Sequence, residues 1–282
     1  MATERAGLMS IVGGPRVHRR MAFDPGVVRL DTTQACRTVI LPTGEGVRRL
    51  PNLTALLAML LVRFGVPVLL HGVAAGATGR DAADRDARNA GASPVTTADV
   101  LSRLGIPASS SPAQVQAGLA REHVAYAATE LLAPGLAARR NPQSGLPDRM
   151  LAKLIDPFDG ASYRVVSVDS RAGLAPMRTL LATARADSLL LLGCEGEPFA
   201  DPRRPVPLED FAQGIATVVA GSVDGADLPP ALPSSTRAST TAAWITRVLA
   251  GELPVPASIL TQLSCCLIGA RRPLSRPIGD AR

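Results

Sequence analysis

The run Leu41 to Gly72, LPTGEGVRRLPNLTALLAMLLVRFGVPVLLHG, has the outline of a phosphate-binding loop followed by a helix and a strand. Such a loop holds an anion through backbone N–H groups, and glycine lets the chain approach it closely. Pro42-Thr43-Gly44-Glu45-Gly46 retains two glycines, but Pro42 has no N–H to offer. Arg48 and Arg49 follow at once, bringing two permanent charges and about ten N–H donors. Asn52 and Thr54 come next, His71 and Gly72 end the predicted strand, and Thr96 stands before a later helix. Glu195 and Glu197 are one residue apart in GCEGE, and Arg203-Arg204 follows in ADPRRP. Arginines and amides suit phosphate oxygens, while paired carboxylates suit a divalent cation bridging to them. His71 has no Ser or Cys in a triad-like context, so nucleophilic catalysis is not indicated.

Each of these residues also has a plainer reading. Arg48-Arg49 would serve as a solvated turn, and Asn52 and Thr54 as helix caps. His71, ending a buried strand, would serve as a structural hydrogen-bonder. Glu195 and Glu197 would solvate their loop or pair with Arg203-Arg204. Trp244 falls in an apolar helical pattern and reads as core. Aromatics make up only 3% of the chain, which argues against recognition by stacking of single-stranded bases.

The elements that must position these residues alternate. Strands are predicted at Arg37–Leu41, VPVLLHG, HVAYAA, YRVVSVD and SLLLLGCEGE. Helices fall between them: Asn52 to about Phe64, TTADVLSRLGI capped by Thr96 or Thr97 and stopped by Gly105, DRMLAKLIDPF to Pro157, and LAPMRTLLATARA. Two helices follow a Pro-rich linker near the end. This alternation predicts an α/β sheet flanked by helices. Ligands then sit beyond the carboxyl ends of strands, in the loops after Leu41, Leu70 and Leu192. The reading divides the chain into a flexible basic tail (1–34), an α/β domain (35–270) with an exposed insertion at 73–95, and a basic C-terminal tail (271–282).

At 282 residues and 46% hydrophobic, the chain can bury a large aliphatic core. Its longest apolar run, Leu53 to Leu70, is cut by Arg63, Gly65 and Pro67, so no membrane span and no membrane partner are expected. The N-terminus lacks a continuous apolar core, which predicts a cytoplasmic protein. Four cysteines without CxxC spacing fit reduced thiols. The formal charge is +6, unevenly spread: residues 1–63 hold nine Arg against four acids and residues 269–282 four Arg against one. That favours polyanionic partners such as nucleic acid. Lys153 is the only lysine among the 30 Lys and Arg.

PTGEG…PNLT, HG…TTADVL, LAKLIDPFDG…YRVVSV and LLLLGCEGE, in that order, resemble the ordered motifs of anthranilate phosphoribosyltransferase, a family-3 glycosyltransferase with the nucleoside-phosphorylase/phosphoribosyltransferase-like fold. LPNLT, VLLHG, LAKLIDPF, GCEGEPFADPRR and TAAWITRVLAGELPVP resemble more closely the divergent branch called YbiB-like, which is associated with DNA binding. The resemblance implies a phosphoribosyl-diphosphate site at Thr43, Gly44, Asn52, Thr54, His71, Gly72 and Thr96. It also implies Mg2+ at Glu195 and Glu197 if the chain is an enzyme, and an acceptor-site arginine among Arg139, Arg140 and Arg149. Two loop glycines are lost, Leu70 stands where the family has lysine, and the acidic pair is split. The family's N-terminal helical domain looks shortened or missing, which would weaken a homodimer. The expectation is therefore a non-catalytic nucleic-acid-binding protein without a cofactor, holding DNA or another nucleic acid mainly by its phosphate backbone through Arg48, Arg49, Arg203 and Arg204. The alternative is a phosphoribosyltransferase using 5-phosphoribosyl 1-diphosphate and Mg2+, and a third reading is a relic or small-ligand-binding protein.

Overall fold

Aliphatic runs of five to seven residues make the central strands β1 (Thr38–Pro42), β2 (Val68–Gly72), β4 (Val124–Ala128), β5 (Ser162–Val168) and β6 (Ser188–Leu192). A two-residue β3 (Ala108–Ser109) and the pair β7 (Leu208–Ala212) and β8 (Ile215–Ala220) complete one sheet in the order β3-β4-β2-β1-β5-β6-β7-β8. The strands β1 to β6 pair in parallel, and β7 and β8 join antiparallel. In this computed structural model the described residues are 26–32, 36–73, 94–139, 146–158, 161–220 and 231–271. Most of the 73–95 insertion, the start of the N-terminal tail and residues 272–282 lie outside them.

Successive side chains of a strand point to opposite faces, and here both faces are buried. Val39 and Leu41 of β1, Val68 and Leu70 of β2, and Leu189 and Leu191 of β6 join one apolar cluster. Ile40 and Leu69 face a second cluster and Leu190 a third. The first cluster is covered by α1 (Thr54–Arg63), α2 (Thr97–Arg103), α8 (Ala238–Leu249) and α9 (Ala257–Arg271). The other face is covered by α3 (Pro112–Glu122), α4 (Thr129–Leu132), α5 (Pro134–Arg139), α6 (Leu146–Ala152) and α7 (Leu174–Ala184). A sheet covered on both sides explains the unbroken apolar strands. Trp244 is core, 7% exposed, with its indole N–H donating to the Ala231 carbonyl at 2.8 Å. No described helix is long and apolar enough to cross a membrane.

Four local features differ from the pattern in the sequence. The helix predicted to Pro157 stops at Ala152, because Lys153 and Leu154 close tight turns on Met150 and Leu151 and Lys153 turns inward to the sheet. The β7–β8 hairpin was not foreseen; its two-residue turn, Gln213-Gly214, has φ of 53° and 86°, the geometry of a type I′ hairpin. Asn52 does not cap α1 directly, since Leu53 holds that position; its side chain accepts from the Thr54 N–H at 3.1 Å. Within the N-terminal stretch, Val28 N–H donates to Leu132 and Leu30 N–H to Pro157, tying residues 26–32 to the sheet domain.

Candidate anion-binding site

The strand order changes direction at β1, with β2 on one side and β5 on the other, so the carboxyl ends of these strands diverge and leave a cleft. It has a volume of about 250 Å³ and is lined by the 42–46 loop, His71 and Gly72, Lys153, Asp169 and Glu195-Gly196. Thr43 starts the loop by donating its N–H to the His71 carbonyl at 2.7 Å. Val47 then pairs with Val95 as an antiparallel bridge. Gly46 between them has φ +95°, and a side chain there would meet the Val95 carbonyl oxygen at 2.7 Å. Glycine is required at this turn.

The loop amides point at carboxylates from the acidic turn after β6. Glu197 is fully buried. Its Oε1 accepts from the N–H of Gly44 at 3.0 Å and Gly46 at 2.9 Å, and its Oε2 from the hydroxyls of Thr97 at 3.0 Å and Thr54 at 3.4 Å. Glu195 accepts from the N–H of Arg48 at 3.0 Å and Arg49 at 2.8 Å. The turn is tight, with φ of 52° at Glu195 and 84° at Gly196. A side chain at Gly193 would lie 2.1 Å from the Glu197 carbonyl oxygen, so only glycine lets the turn fold back.

Lys153 holds the turn from beneath. Its Nζ donates to the Ser167 carbonyl at 2.7 Å, the Ser167 hydroxyl at 2.9 Å and the Gly196 carbonyl at 2.8 Å. Burial lowers its pKa to about 8, against the pull of Glu197 and Asp169. Burial raises that of Glu197, while the Thr97 hydroxyl, Lys153 and the two loop amides draw it back. His71 is buried, with Nδ1 3.2 Å from the Thr129 hydroxyl and no partner at Nε2 among the described residues. Burial, and then Lys153, lower its pKa to about 4. It is a neutral imidazole at physiological pH.

The residues singled out in the sequence divide into two layers. Thr43, Gly44, Arg48, His71, Gly72 and Glu195 line the cleft. Asn52, Thr54 and Thr96 lie behind it as support. Asn52 donates to Val95 and Thr97, Thr54 to Glu197, and Thr96 caps α2 in a reciprocal box with Asp99. Glu197 and Glu195 do not pair with Arg203 and Arg204; both arginines fold onto Asp201, at 3.2 and 3.1 Å. Arg48 and Arg49 are exposed, and neither guanidinium has an ion-pair partner among the described residues. Of the three acceptor-site candidates, Arg149 stands at the cleft, 3.3 Å from Glu45. The side chains of Arg139 and Arg140 lie outside the described residues. Thr97, Lys153 and Ser167 were missed, although a sole lysine was a signal in itself.

Magnesium, implied for the enzymes that the chain resembles, would find Glu197 already committed to the loop and the threonines. A carboxylate offers about four lone-pair sites, and those of Glu197 are taken by two amides and two hydroxyls. Glu195 is turned onto the Arg48 and Arg49 amides.

No family model matches the chain. In sequence it is similar to the uncharacterized protein YbiB of Escherichia coli (strain K12), 29% identical over 255 residues, 86% of this chain and 73% of YbiB. It is also similar to the anthranilate phosphoribosyltransferase of Salinispora arenicola (strain CNS-205), 26% identical over 253 residues, 86% of this chain and 66% of that enzyme. In structure it is similar to the anthranilate phosphoribosyltransferase of Thermus thermophilus, with a TM-score of 0.61 and 20% identity over 92% of this chain and 74% of that one. A variant of the Saccharomyces cerevisiae enzyme with Mg bound matches at 0.52 and 13% identity, over 90% of this chain and 69% of that one. Both comparisons include anthranilate phosphoribosyltransferases. The eight-stranded α/β sheet described here is the anthranilate phosphoribosyltransferase fold.

Proposed function

We propose that the protein binds nucleic acid without catalysis on a phosphoribosyltransferase scaffold, holding the phosphate backbone of DNA through Arg48 and Arg49, with Arg203 and Arg204 as a second contact. One observation carries this reading: the amides of Gly44, Gly46, Arg48 and Arg49 are all engaged by Glu195 and Glu197, while the Arg48 and Arg49 side chains stand exposed without an ion-pair partner among the described residues. The loop thus offers guanidinium forks to solvent, and such forks suit phosphate. The +6 charge and the resemblance to the YbiB-like branch agree with it. Contacts of this kind give affinity with little sequence information.

A phosphoribosyltransferase is the second reading, and the fold favours it. It would need phosphoribosyl diphosphate and Mg2+ at the loop and the acidic pair, both of which are committed to each other. The readings separate in a fluorescence-anisotropy titration against single- and double-stranded DNA over a salt series, with phosphoribosyl diphosphate plus Mg2+ as competitor. Binding should weaken steeply with salt and ignore the competitor. The variant R48A/R49A should lower the magnitude of the log–log salt slope by about 2, at roughly 0.9 per lost phosphate contact. Absence of binding, or displacement by the competitor, would overturn the proposal and call for an anthranilate turnover assay.

A further inference from the structure

Four backbone amides converge on the 195–197 turn, two on each carboxylate. Converging amides of this kind form an anion-binding concavity. The carboxylates reach them because Gly193 lets the turn double back and Lys153 and the Ser167 hydroxyl, at 2.6 Å, fasten the Gly196 carbonyl from below. Glu195 adopts a left-handed backbone, φ 52°, which costs a non-glycine residue about 1 kcal/mol or more and persists only where surrounding contacts impose it. We infer that the Glu195-Gly196-Glu197 turn is a built-in occupant of the amide cradle, a peptide-borne dicarboxylate standing where a diphosphate would bind and keeping free diphosphates out. The inference rests on the cradle alone and does not depend on the nucleic-acid reading.

The geometry supports occupation over accidental contact in two ways. The four bonds are well formed, at 2.8 to 3.0 Å, and come from one loop, so the carboxylates follow its curvature from Gly44 to Arg49. The second carboxylate oxygen of Glu197 is fixed by Thr97 and Thr54, from the starts of α2 and α1. The amide-facing oxygen is thereby aimed at Gly44 and Gly46 from a rigid support. A diphosphate could enter only by displacing this carboxylate from the loop amides. That cost is absent once the carboxylates are removed, so the cradle is latent and its affinity should appear on mutation.

Isothermal titration calorimetry with inorganic pyrophosphate, without added metal, tests this on the full chain. The wild-type protein should give no binding heat at millimolar pyrophosphate, and E195A/E197A should bind at least about tenfold more tightly. Wild-type binding as tight as the variant's would overturn the inference, as would a variant that folds cooperatively in urea yet binds no better. Should E195A/E197A not fold, E195A, whose side chain is at the surface, frees two of the four amides and should still gain affinity; a folded E195A with no gain would also count against it. Hydrogen exchange read by NMR on the wild-type chain gives an independent check. The Gly44 and Gly46 amides should be protected, and exchange at the rate of an open loop would refute their engagement by Glu197.

Discussion

Replacing Lys153 with methionine keeps most of the side chain's volume and removes the charge beneath the acidic turn. Three hydrogen bonds disappear, to the Ser167 carbonyl, the Ser167 hydroxyl and the Gly196 carbonyl, and Glu197 loses the nearby positive charge that favours its ionised form. Leaving the groups beneath the turn without their charged donor costs about 1–3 kcal/mol each. Lys153 opens on the cleft, where water can enter the vacated space and partly replace the three bonds, so K153M should destabilise by about 3 kcal/mol. Urea unfolding, with the slope unchanged and the midpoint lowered, measures it. The cycle should be completed with E197Q, in which the amide oxygen can face Gly44 and Gly46 while its NH2 donates to the threonine hydroxyls. If the two groups balance each other, K153M/E197Q should cost less than the sum of the single variants by about 1–3 kcal/mol. A K153M cost below about 1 kcal/mol, the range of ordinary surface changes, or strict additivity in the cycle, would refute the account of Lys153 as the fastening of the turn.

His71 gives a pH signature. Its folded pKa of about 4 lies below the ordinary 6.5, so between these values the unfolded chain takes up a proton that the folded chain refuses. Stability should therefore fall as pH drops from 6.5 to 4, by at most about 3 kcal/mol from this group, and H71Q should flatten that part of the urea-midpoint profile. Arg203 and Arg204 share one carboxylate, Asp201, so together they carry about one uncompensated charge. R203A/R204A should consequently lower the salt slope of DNA binding by about 1, half the effect of R48A/R49A; an equal or larger effect in anisotropy would show the basic face centred on the later loop.

The sheet was legible because fully buried parallel strands leave a direct trace in sequence. VILP, VLLHG, YRVVSV and SLLLL carry no alternation to confuse with a surface strand, and Thr96 with Asp99 spells a capping box. The β7–β8 hairpin was less visible, since LEDFA has acids inside it and its turn uses Gln-Gly instead of the commoner Asn-Gly. The acidic turn could be located but its bonding could not. Whether Glu197 faces solvent, an arginine or the loop depends on Gly193 admitting a backbone at 2.1 Å from the position a side chain would take, a contact far along the chain from the amides it serves. Lys153 was hidden for the related reason that a helical pattern ran through it; only the end of α6 at Ala152 turns it from a surface residue into an internal one.

An amide cradle on this fold faces a constraint that precedes any ligand. Here the Gly44 and Gly46 N–H groups face the buried Glu197 carboxylate, and buried donors without acceptors are strongly disfavoured. An enzyme can leave them to water and substrate in alternation, at the expense of a mobile loop. Here the acceptors are part of the chain, so the Gly44–Arg49 loop is fixed before anything arrives: Val47 is bridged to Val95, and four amides are bonded to Glu195 and Glu197. Two consequences follow from the same bonds. The amides of Gly44, Gly46, Arg48 and Arg49 are already taken, and the loop presents the Arg48 and Arg49 side chains from a backbone already ordered. Preorganisation of this kind spares the ordering cost of binding, which matters most where each contact is a weak, solvent-screened charge pair. On the proposed reading, filling the cradle from within both keeps a diphosphate out and stiffens an arginine-bearing surface.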